Sequence, residues 1–439
     1  MTDATHTIYQ RPAELLQRLI RFDTTNPPGN EGELVAFVKD LLDDAGIPSQ
    51  TFAKDPDRPN LLARLPGRGN APTVLLQGHA DVVTTEGQDW KYPPFEARIA
   101  EGYIWGRGAL DMKGGVAMML SAFLRAKAEN ADLPGDVIFL ILADEEAGSD
   151  MGAKFLVEEH PELFEGVNYA IGEFGGFPMY VAGKRFYPIQ VAEKQLCWIK
   201  ATVRGPAGHG SMPVRGGAMA KLADLLQKLD QNRLPVHITP VVSQMIEIMA
   251  DSLEGEPAQG MRMLLNPAAT DQVLDAMGPA AQLFDAMLHN TVSPTILHGS
   301  NKINVIPGEV SVDIDGRILP GQTPDDLIRE LHAMVGDDVE FELIRHDPGP
   351  SEPDMGWFKT LSGILQENDP EGVPVPMLIS GVTDARYFSR LGIQTYGYLP
   401  MILPPDFNFA ATIHAANERI PVEAVAFGAN AIYRALLSS

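Results

Sequence analysis

Three short blocks of the sequence each place ionisable side chains directly after an apolar run. The first ends in Gly-His-Ala-Asp, with His79 and Asp81, and the second contains Asp111 within Gly-Arg-Gly-Ala-Leu-Asp-Met-Lys-Gly-Gly. In the third, the apolar run 137–143 leads straight into Asp-Glu-Glu at 144–146. Carboxylates and an imidazole at the ends of buried strands are costly unless a cation neutralises them. The pattern therefore predicts a site for a pair of divalent metal ions, and with it an enzyme.

The donor types suit such a pair. Zinc and similar ions bind imidazole and carboxylate ligands, and catalytic sites keep one coordination position open for water. If Asp111 bridged two dications, two further carboxylates and a hydroxide would bring the site close to neutrality, so that it could be buried. Glu173, after another apolar run, and His414 are candidates for the closing ligands. Because oxygen and nitrogen donors suit several dications, among them zinc, cobalt and manganese, the ligands alone do not select the metal.

The surrounding elements are those of an α/β protein. Strand-like runs at about 60–65, 73–78 and 136–143 alternate with a strongly helical run at 116–127. This alternation predicts a mixed sheet covered by helices. Ligands of open α/β sheets bind at the carboxyl ends of strands, where the ionisable blocks lie. Fold and site predictions therefore agree.

The pattern changes near residue 190, where strand and helix signals take on a β-α-β-β character. We predict a catalytic domain in two parts, 1–190 and 346–439. An α+β lid or dimerisation domain would be inserted between them over 191–345. Within it, the Met-rich helical stretches at 236–300 are interpreted as part of a lid or of an interface.

Composition narrows the class of partner. The 439 residues carry a net charge of -24, which would repel nucleic acids and anionic membranes but leaves a small anionic substrate open. No apolar run approaches the roughly 20 residues of a membrane helix, and the N-terminus has no signal-peptide pattern. The single Cys197 cannot form an intrachain disulfide. We therefore expect a cytoplasmic protein.

The three blocks, in this order, resemble the dinuclear zinc metallopeptidases of the M20 family. The resemblance extends over most of the chain. It includes Gly-His-Gly-Ser-Met-Pro at 208–213, Asn-Val-Ile-Pro-Gly at 304–308, Asp-Gly-Arg-Ile-Leu-Pro-Gly at 315–321 and Gly-Val-Thr-Asp-Ala-Arg at 381–386. It implies the same two-domain α/β architecture and a homodimer.

The resemblance also implies a role for each residue of the site. The implied ligands are His79, Asp111 and Glu173 for one ion and Asp111, Glu146 and His414 for the other. Glu145 is implied as the general base, and Asp81 as the residue that orients His79. His209 is implied to stabilise the tetrahedral oxyanion. Arg107 and Lys113, which flank the bridging aspartate, are interpreted as supporting residues rather than catalytic ones.

These roles predict metal-assisted hydrolysis of an amide bond. Arg317 and Asn304 would hold a substrate carboxylate, for which a guanidinium is well shaped. An exopeptidase acting on small peptides is the predicted function, and an N-acyl-amino-acid deacylase of deacetylase or desuccinylase type is the alternative. A non-catalytic metal-binding scaffold is a third hypothesis. The intact Glu145 argues against the scaffold, because such a protein could lose its base and keep its fold.

Overall fold

The computed structural model describes residues 7–438, which form two compact units. The first comprises the chain up to Val191, Asp354–Met377, and the chain from Thr383 onward. The second comprises Ala192–Pro353 and Leu378–Val382. The predicted insertion over 191–345 overlaps this second unit. The unit also includes the proline-containing segment up to residue 353 and a short return that no composition change in the sequence marks.

Both units are built of strands and helices, which alternate along the chain through most of the first unit. In chain order the strands are β1 (Ser49–Phe52), β2 (Asn60–Leu65), β3 (Thr73–His79), β4 (Arg98–Ala100), β5 (Tyr103–Trp105), β6 (Val137–Leu142), β7 (Val167–Gly172), β8 (Met179–Val181), β9 (Lys184–Glu193), β10 (Gln195–Arg204), β11 (Gly208–His209), β12 (Thr291–His298), β13 (Val305–Ile306), β14 (Glu309–Ile318), β15 (Val339–Asp347), β16 (Val373–Ile379), β17 (Gln394–Gly397) and β18 (Arg419–Pro421). The helices are α1 (Pro12–Ile20), α2 (Gly32–Asp44), α3 (Lys113–Ala128), α4 (Ala153–Glu159), α5 (Ala218–Gln231), α6 (Pro240–Ser252), α7 (Gly255–Leu264), α8 (Thr270–Met277), α9 (Gln282–Leu288), α10 (Pro324–Val335), α11 (Phe358–Asn368), α12 (Ala385–Phe388), α13 (Phe409–Thr412) and α14 (Val422–Leu436).

A nine-stranded mixed sheet forms the centre of the first unit. Its order is β1-β2-β6-β3-β7-β17-β9-β16, and β8 pairs with β9. The strands β6, β3, β7 and β17 are parallel neighbours, whereas β1, β2 and β9 pair antiparallel. Every residue of β3 and β6 is buried, as expected for strands covered on both faces. The predicted fold class is confirmed.

Helices supply that cover. On one face α3 packs against β3 and against α1 and α14. On the other, side chains of β3 and β6 such as Leu75 and Ile138 pack with Leu156 of α4 and Phe388 of α12. Because β6, β3 and β7 run parallel side by side, their carboxyl ends meet at one edge of the sheet. His79, Glu145, Glu146 and Glu173 are therefore carried to the same place.

The second unit is an α+β structure around a four-stranded antiparallel sheet of order β12-β14-β10-β15. Its core joins Ile199 of β10 and Val312 of β14 to Leu225 of α5 and Leu331 of α10. The stretch at 236–300 contains the helices α6 to α9 and the edge strand β12. Among residues 7–438, no helix combines the length and apolar character that crossing a bilayer requires.

Lys194 places a buried amine in the second unit. Its Nζ donates to the carbonyl oxygens of Ala286 (3.1 Å) and His289 (2.9 Å) and to the hydroxyl of Thr291 (2.8 Å). Burial lowers the pKa of Lys194 to about 7. In an unfolded chain the pKa of a lysine is about 10.4, so the folded protein releases the Lys194 proton at a lower pH than the unfolded chain does.

This difference predicts a pH-dependent contribution to stability. Above about pH 7 the unfolded chain holds a proton on Lys194 that the folded protein has lost, so this group makes stability rise with pH. Relative to Lys194→Met, the wild-type free energy of unfolding should increase by about 1 kcal/mol per pH unit between about pH 7.5 and 9.5, measured by urea titration. Lys200→Met, at a half-buried position of β10, is the control and should follow the wild type. A difference that did not change with pH would contradict the lowered pKa.

Candidate metal centre

The candidate ligands come from five segments that the fold brings together. His79 is the last residue of β3, Glu173 directly follows β7, and Glu146 lies just after β6. Asp111 lies between β5 and α3, and His414 lies between α13 and β18. Antiparallel pairing of β18 with β5 brings the last two segments to each other.

Asp111 is shared by two clusters. The Nε2 atom of His79 lies 3.2 Å from Asp111 Oδ1 and 3.5 Å from Glu173 Oε2. The Nε2 atom of His414 lies 3.0 Å from Asp111 Oδ2 and 3.4 Å from Glu146 Oε2. Each carboxylate oxygen of Asp111 therefore faces a different imidazole, and each imidazole also lies beside a different glutamate. This is the arrangement expected of a carboxylate that bridges two cations.

The spacing and chemistry of these atoms fit divalent metal ions. Ligands bound tetrahedrally at about 2.0–2.1 Å from one ion lie about 3.3 Å from one another, close to the four distances within the two clusters. Two groups of three residues each have ligand atoms within 4.8 Å of one another. One group is His79, Asp111 and Glu146, and the other is His79, Glu145 and Glu173. The buried Oε1 of Glu146 has no donor among the described residues. A cation would supply the missing partner.

The pKa shifts show an excess of negative charge. Burial raises the pKa of Glu173 to about 8, and burial together with the Glu173 carboxylate raises the pKa of Glu145 well above its ordinary value. Hydrogen bonds to Asp111 and Glu146 raise the pKa of His414 to about 10. Although burial opposes it, hydrogen bonds with His414 and His79 hold the pKa of Asp111 below its usual range. These carboxylates therefore favour any positive partner within reach.

Asp81 organises the turn that carries the adjacent glutamates. Its carboxylate accepts the backbone N–H groups of Glu145 and Glu146, each at 3.1 Å, and the side-chain amide of Asn26 at 2.8 Å. Nδ1 of His79 lies 2.9 Å from the Asp81 backbone oxygen and 3.5 Å from its carboxylate. Asp81 is therefore placed to orient His79 mainly through its main chain. Its carboxylate holds the turn.

The turn itself has an uncommon backbone. Asp144 and Gly148 flank the short 3₁₀ helix Glu145–Ala147 with φ values of 69° and 110°, and the left-handed conformation at Asp144 costs about 1–2 kcal/mol. Arg58 (2.7 Å) and Asn26 (3.0 Å) both donate to its carboxylate. Sequence reasoning missed Arg58 and Asn26. No local pattern connects them to Asp144, which lies 118 residues after Asn26 and 86 residues after Arg58.

An apolar pocket adjoins the centre. Its free cavity volume is only about 10 Å³, enough for about one water molecule, and two of the candidate ligands, Asp111 and Glu173, line it. The rest of its wall is Leu110, Phe174, Gly175, Phe177, Leu399, Met401, Phe409 and Ile413. The rings of Phe177 and Phe409 stack with their centroids 4.0 Å apart. Apart from the carboxylates of Asp111 and Glu173 its wall is apolar, so it can contact an uncharged part of a substrate by apolar packing.

His209 and Asn304 lie in one small element of the second unit. The strand β11, which ends at His209, pairs with β13, and the Gly210 N–H donates to the Asn304 carbonyl at 2.8 Å. The Ser211 backbone N–H donates to Nδ1 of His209 at 3.2 Å. The neutral ring then carries its proton on Nε2. In this form His209 can donate a hydrogen bond to an oxyanion.

Arg317, also in the second unit, is already paired. On β14 its Nε and Nη2 atoms donate to the two carboxylate oxygens of Asp315, at 2.7 and 3.1 Å. Asp315 also accepts from the Trp198 indole at 3.1 Å. A substrate carboxylate would therefore use the other edge of the guanidinium. The five candidate ligands belong to the first unit, so the candidate residues divide between the two units.

Known proteins match over both units. A family model described as Peptidase family M20/M25/M40 matches residues 75–438. Probable carboxypeptidase S-like 2 of Dictyostelium discoideum is 28% identical over 80% of this chain and 68% of its own length. The human N-fatty-acyl-amino acid synthase/hydrolase PM20D1 is 29% identical over 81% and 72%. The solved structure of the M20 family metallo-carboxypeptidase Sso-CP2 from Sulfolobus solfataricus aligns with a TM-score of 0.67 at 16% identity, over 97% and 98%. The expected family resemblance is confirmed.

The paired clusters predict how metal content responds to mutation. His414→Ala and Glu146→Ala should each reduce binding from two ions per chain to one, because each removes a ligand from one cluster only. Asp111→Ala should weaken both ions, because it removes the shared ligand. Metal content after dialysis, measured by mass spectrometry, tests this. His160→Ala is the control, since His160 packs against Phe52 and Phe155. Two ions retained in both His414→Ala and Glu146→Ala would rule out the assigned ligand set.

Proposed function

The chain belongs to peptidase family M20/M25/M40, and we propose that it is an exopeptidase that hydrolyses small peptides with a free carboxylate by means of two divalent metal ions. The observation that carries the proposal is the position of Asp111, whose two oxygens face His79 and His414. Glu145 stands beside this centre as a carboxylate that the two clusters around Asp111 do not require. That arrangement provides ligands and a separate base.

The chemistry divides between the ions and the protein. When bound, divalent ions would polarise the scissile carbonyl and make the attacking water more acidic. A carboxylate oxygen of Glu145 accepts the water proton as the carbon–oxygen bond forms, and then delivers it to the nitrogen that leaves as the amine. The raised pKa of Glu145 suits a group that must both take and return a proton near neutral pH.

Two adjacent glutamates can serve different purposes because their main chain is held. Asp81 accepts the backbone N–H groups of both Glu145 and Glu146, so neither residue can shift without the other. Glu146 approaches His414, and Glu145 lies within 4.8 Å of His79 and Glu173, so both carboxylates are within reach of the centre. On the basis of the family resemblance, we assign Glu146 to the metal and Glu145 to the proton.

The family resemblance assigns roles to three residues of the second unit. We assign Arg317 and Asn304 to the substrate carboxylate and His209 to the developing oxyanion, to which its Nε2–H would donate. From the same resemblance we propose zinc as the metal, with cobalt or manganese as alternatives, and a homodimer. The sequence features described above lead us to propose a cytoplasmic location. The net charge of -24 supports a small-molecule partner rather than nucleic acid or membrane.

A second candidate function is hydrolysis of N-acyl amino acids. The apolar residues of the pocket beside Asp111 and Glu173 favour it, because an acyl chain can pack against rings such as those of Phe177 and Phe409. A human relative, 29% identical, is named as an N-fatty-acyl-amino acid synthase/hydrolase. Both candidates share the amide chemistry. They differ in what occupies this pocket.

Removal of the proposed base provides the main test of the reaction. Glu145→Gln should keep two metal ions but reduce kcat by about 10²- to 10⁴-fold, the usual contribution of general acid–base catalysis. Glu158→Gln, at an exposed position of α4, is the control and should be fully active. Normal turnover by Glu145→Gln would show that another group takes the proton. Wild-type protein that binds metal but cleaves no substrate would favour the scaffold hypothesis.

A substrate panel separates the two candidate functions. Dipeptides are compared with N-acetyl, N-succinyl and longer N-acyl amino acids, in zinc, cobalt and manganese. Phe177→Ala should reduce kcat/KM about 10-fold for substrates with a large apolar group and much less for N-acetyl substrates, because an apolar contact contributes about 1–3 kcal/mol. Phe407→Ala, whose ring stacks on Tyr103 outside the pocket, is the control. An equal loss on all substrates would exclude this pocket as the apolar subsite.

A further inference from the structure

Glu418 is a fully buried carboxylate that is hydrogen-bonded on both oxygens. Oε2 accepts Nη1 of Arg107 at 2.7 Å and the Gly108 N–H at 3.1 Å. Oε1 accepts the N–H groups of Leu110 at 2.7 Å and of Asp111 at 3.1 Å. Three of its four donors are thus backbone groups of the segment that ends at Asp111. One side chain fixes the main chain of the bridging residue.

Arg107 continues this connection to the His414 segment. The guanidinium is 1% exposed, and its Nη2 donates to the side-chain oxygen of Gln88 at 2.8 Å and to the His414 carbonyl at 3.3 Å. The Gln88 amide donates to the same carbonyl at 2.9 Å. Glu418 itself lies four residues after His414 on the same segment. The pair Glu418–Arg107 therefore adds side-chain contacts to the β5–β18 pairing that joins the segments of Asp111 and His414.

This connection matters because regular structure does not hold either residue. Asp111 precedes α3 and His414 follows the short α13, so neither has the sheet hydrogen bonds that fix His79 at the end of β3. Ligand atoms must be held to within about 0.5 Å for a defined site. Hydrogen bonds from outside the ligand set usually provide this precision. Glu418 is placed to supply it for two ligands at once.

A purely stabilising ion pair is the competing explanation. Replacing a buried pair with apolar residues is often neutral or stabilising, so stability alone gives no reason to keep a charge here. The backbone donors of Gly108, Leu110 and Asp111, by contrast, need an acceptor at this position. The contacts are made to ligand-bearing segments. Positioning therefore accounts for the arrangement better than stability does.

We propose that Glu418, acting through Arg107 and the main chain of Asp111, is a positioning residue for the two-metal centre. The proposal rests on the proposed function, since it requires that Asp111 and His414 bind metal. Glu418 holds no metal and moves no proton itself. It keeps the bridging carboxylate and the imidazole at the separation at which one ion can bind both. The spacing of four residues between His414 and Glu418 links this role to the ligand it serves.

Cobalt binding provides the test. Metal-free wild type, Glu418→Gln and Glu418→Asp are checked for folding by circular dichroism and then titrated with Co²⁺, whose visible spectrum reports coordination geometry. Glu418→Gln should bind Co²⁺ about 10- to 100-fold more weakly, as found for residues that support ligands, with an altered spectrum. Glu418→Asp keeps the charge on a shorter chain and should recover part of the affinity. Asp369→Asn is the control, because it breaks a carboxylate pair with Arg185 in the same unit.

A less disruptive variant tests the proposal if Glu418→Gln does not fold. Gln88→Ala removes the side chain that joins Arg107 to the His414 carbonyl, at a half-buried position, and should weaken Co²⁺ binding about 10-fold. Wild-type affinity and spectrum in folded Glu418→Gln, or in Gln88→Ala when the first variant is unfolded, would overturn the proposal. An equal loss in Asp369→Asn would also overturn it. A wild-type protein that bound no Co²⁺ pair would instead refute the proposed metal centre.

Discussion

The structure of this centre depends on the approach of two imidazoles to the two oxygens of one carboxylate. Asp111 lies 3.2 Å from His79 and 3.0 Å from His414, with Glu173 and Glu146 beside them. Concentrating these carboxylates in a buried position is unfavourable unless cations balance them. In this fold the carboxylates are gathered at the edge of the sheet where the parallel strands end. The surrounding hydrogen bonds serve to keep the acidic groups apart and aimed at common points.

The candidate ligands are held in place in two different ways. Parallel strands of the large sheet deliver His79 and Glu173 on rigid ends. Asp111 and His414 come from irregular segments, whose positions depend on buried polar contacts such as those of Glu418. Local unfolding is expected first where such contacts, rather than strand pairing, fix the chain. The centre therefore joins a rigid half, supplied by the sheet, to a half held by side chains distant in sequence.

The neighbouring glutamates show how one turn can separate two roles. Asp81 holds the N–H groups of Glu145 and Glu146, while Arg58 and Asn26 hold the carboxylate of Asp144. The left-handed backbone at Asp144 is an energetic cost that these contacts offset. In our proposal, the result is a ligand and a free base on adjacent residues. The apolar pocket beside them then selects what part of a substrate can lie next to the reacting bond.

By itself, the sequence determined the α/β fold class, the family and the position of the ionisable blocks at strand ends. It could do so because each follows from local apolar runs and from the geometry of parallel strands. Tertiary structure alone decided which oxygen of Asp111 faces which histidine, the main-chain contact of Asp81 with His79, and the hydrogen bonds of Glu418. Those of Glu418 with Arg107 and Asp111 join residues more than 300 apart in the chain through irregular segments. Their geometry depends on how loops pack, which no local pattern encodes.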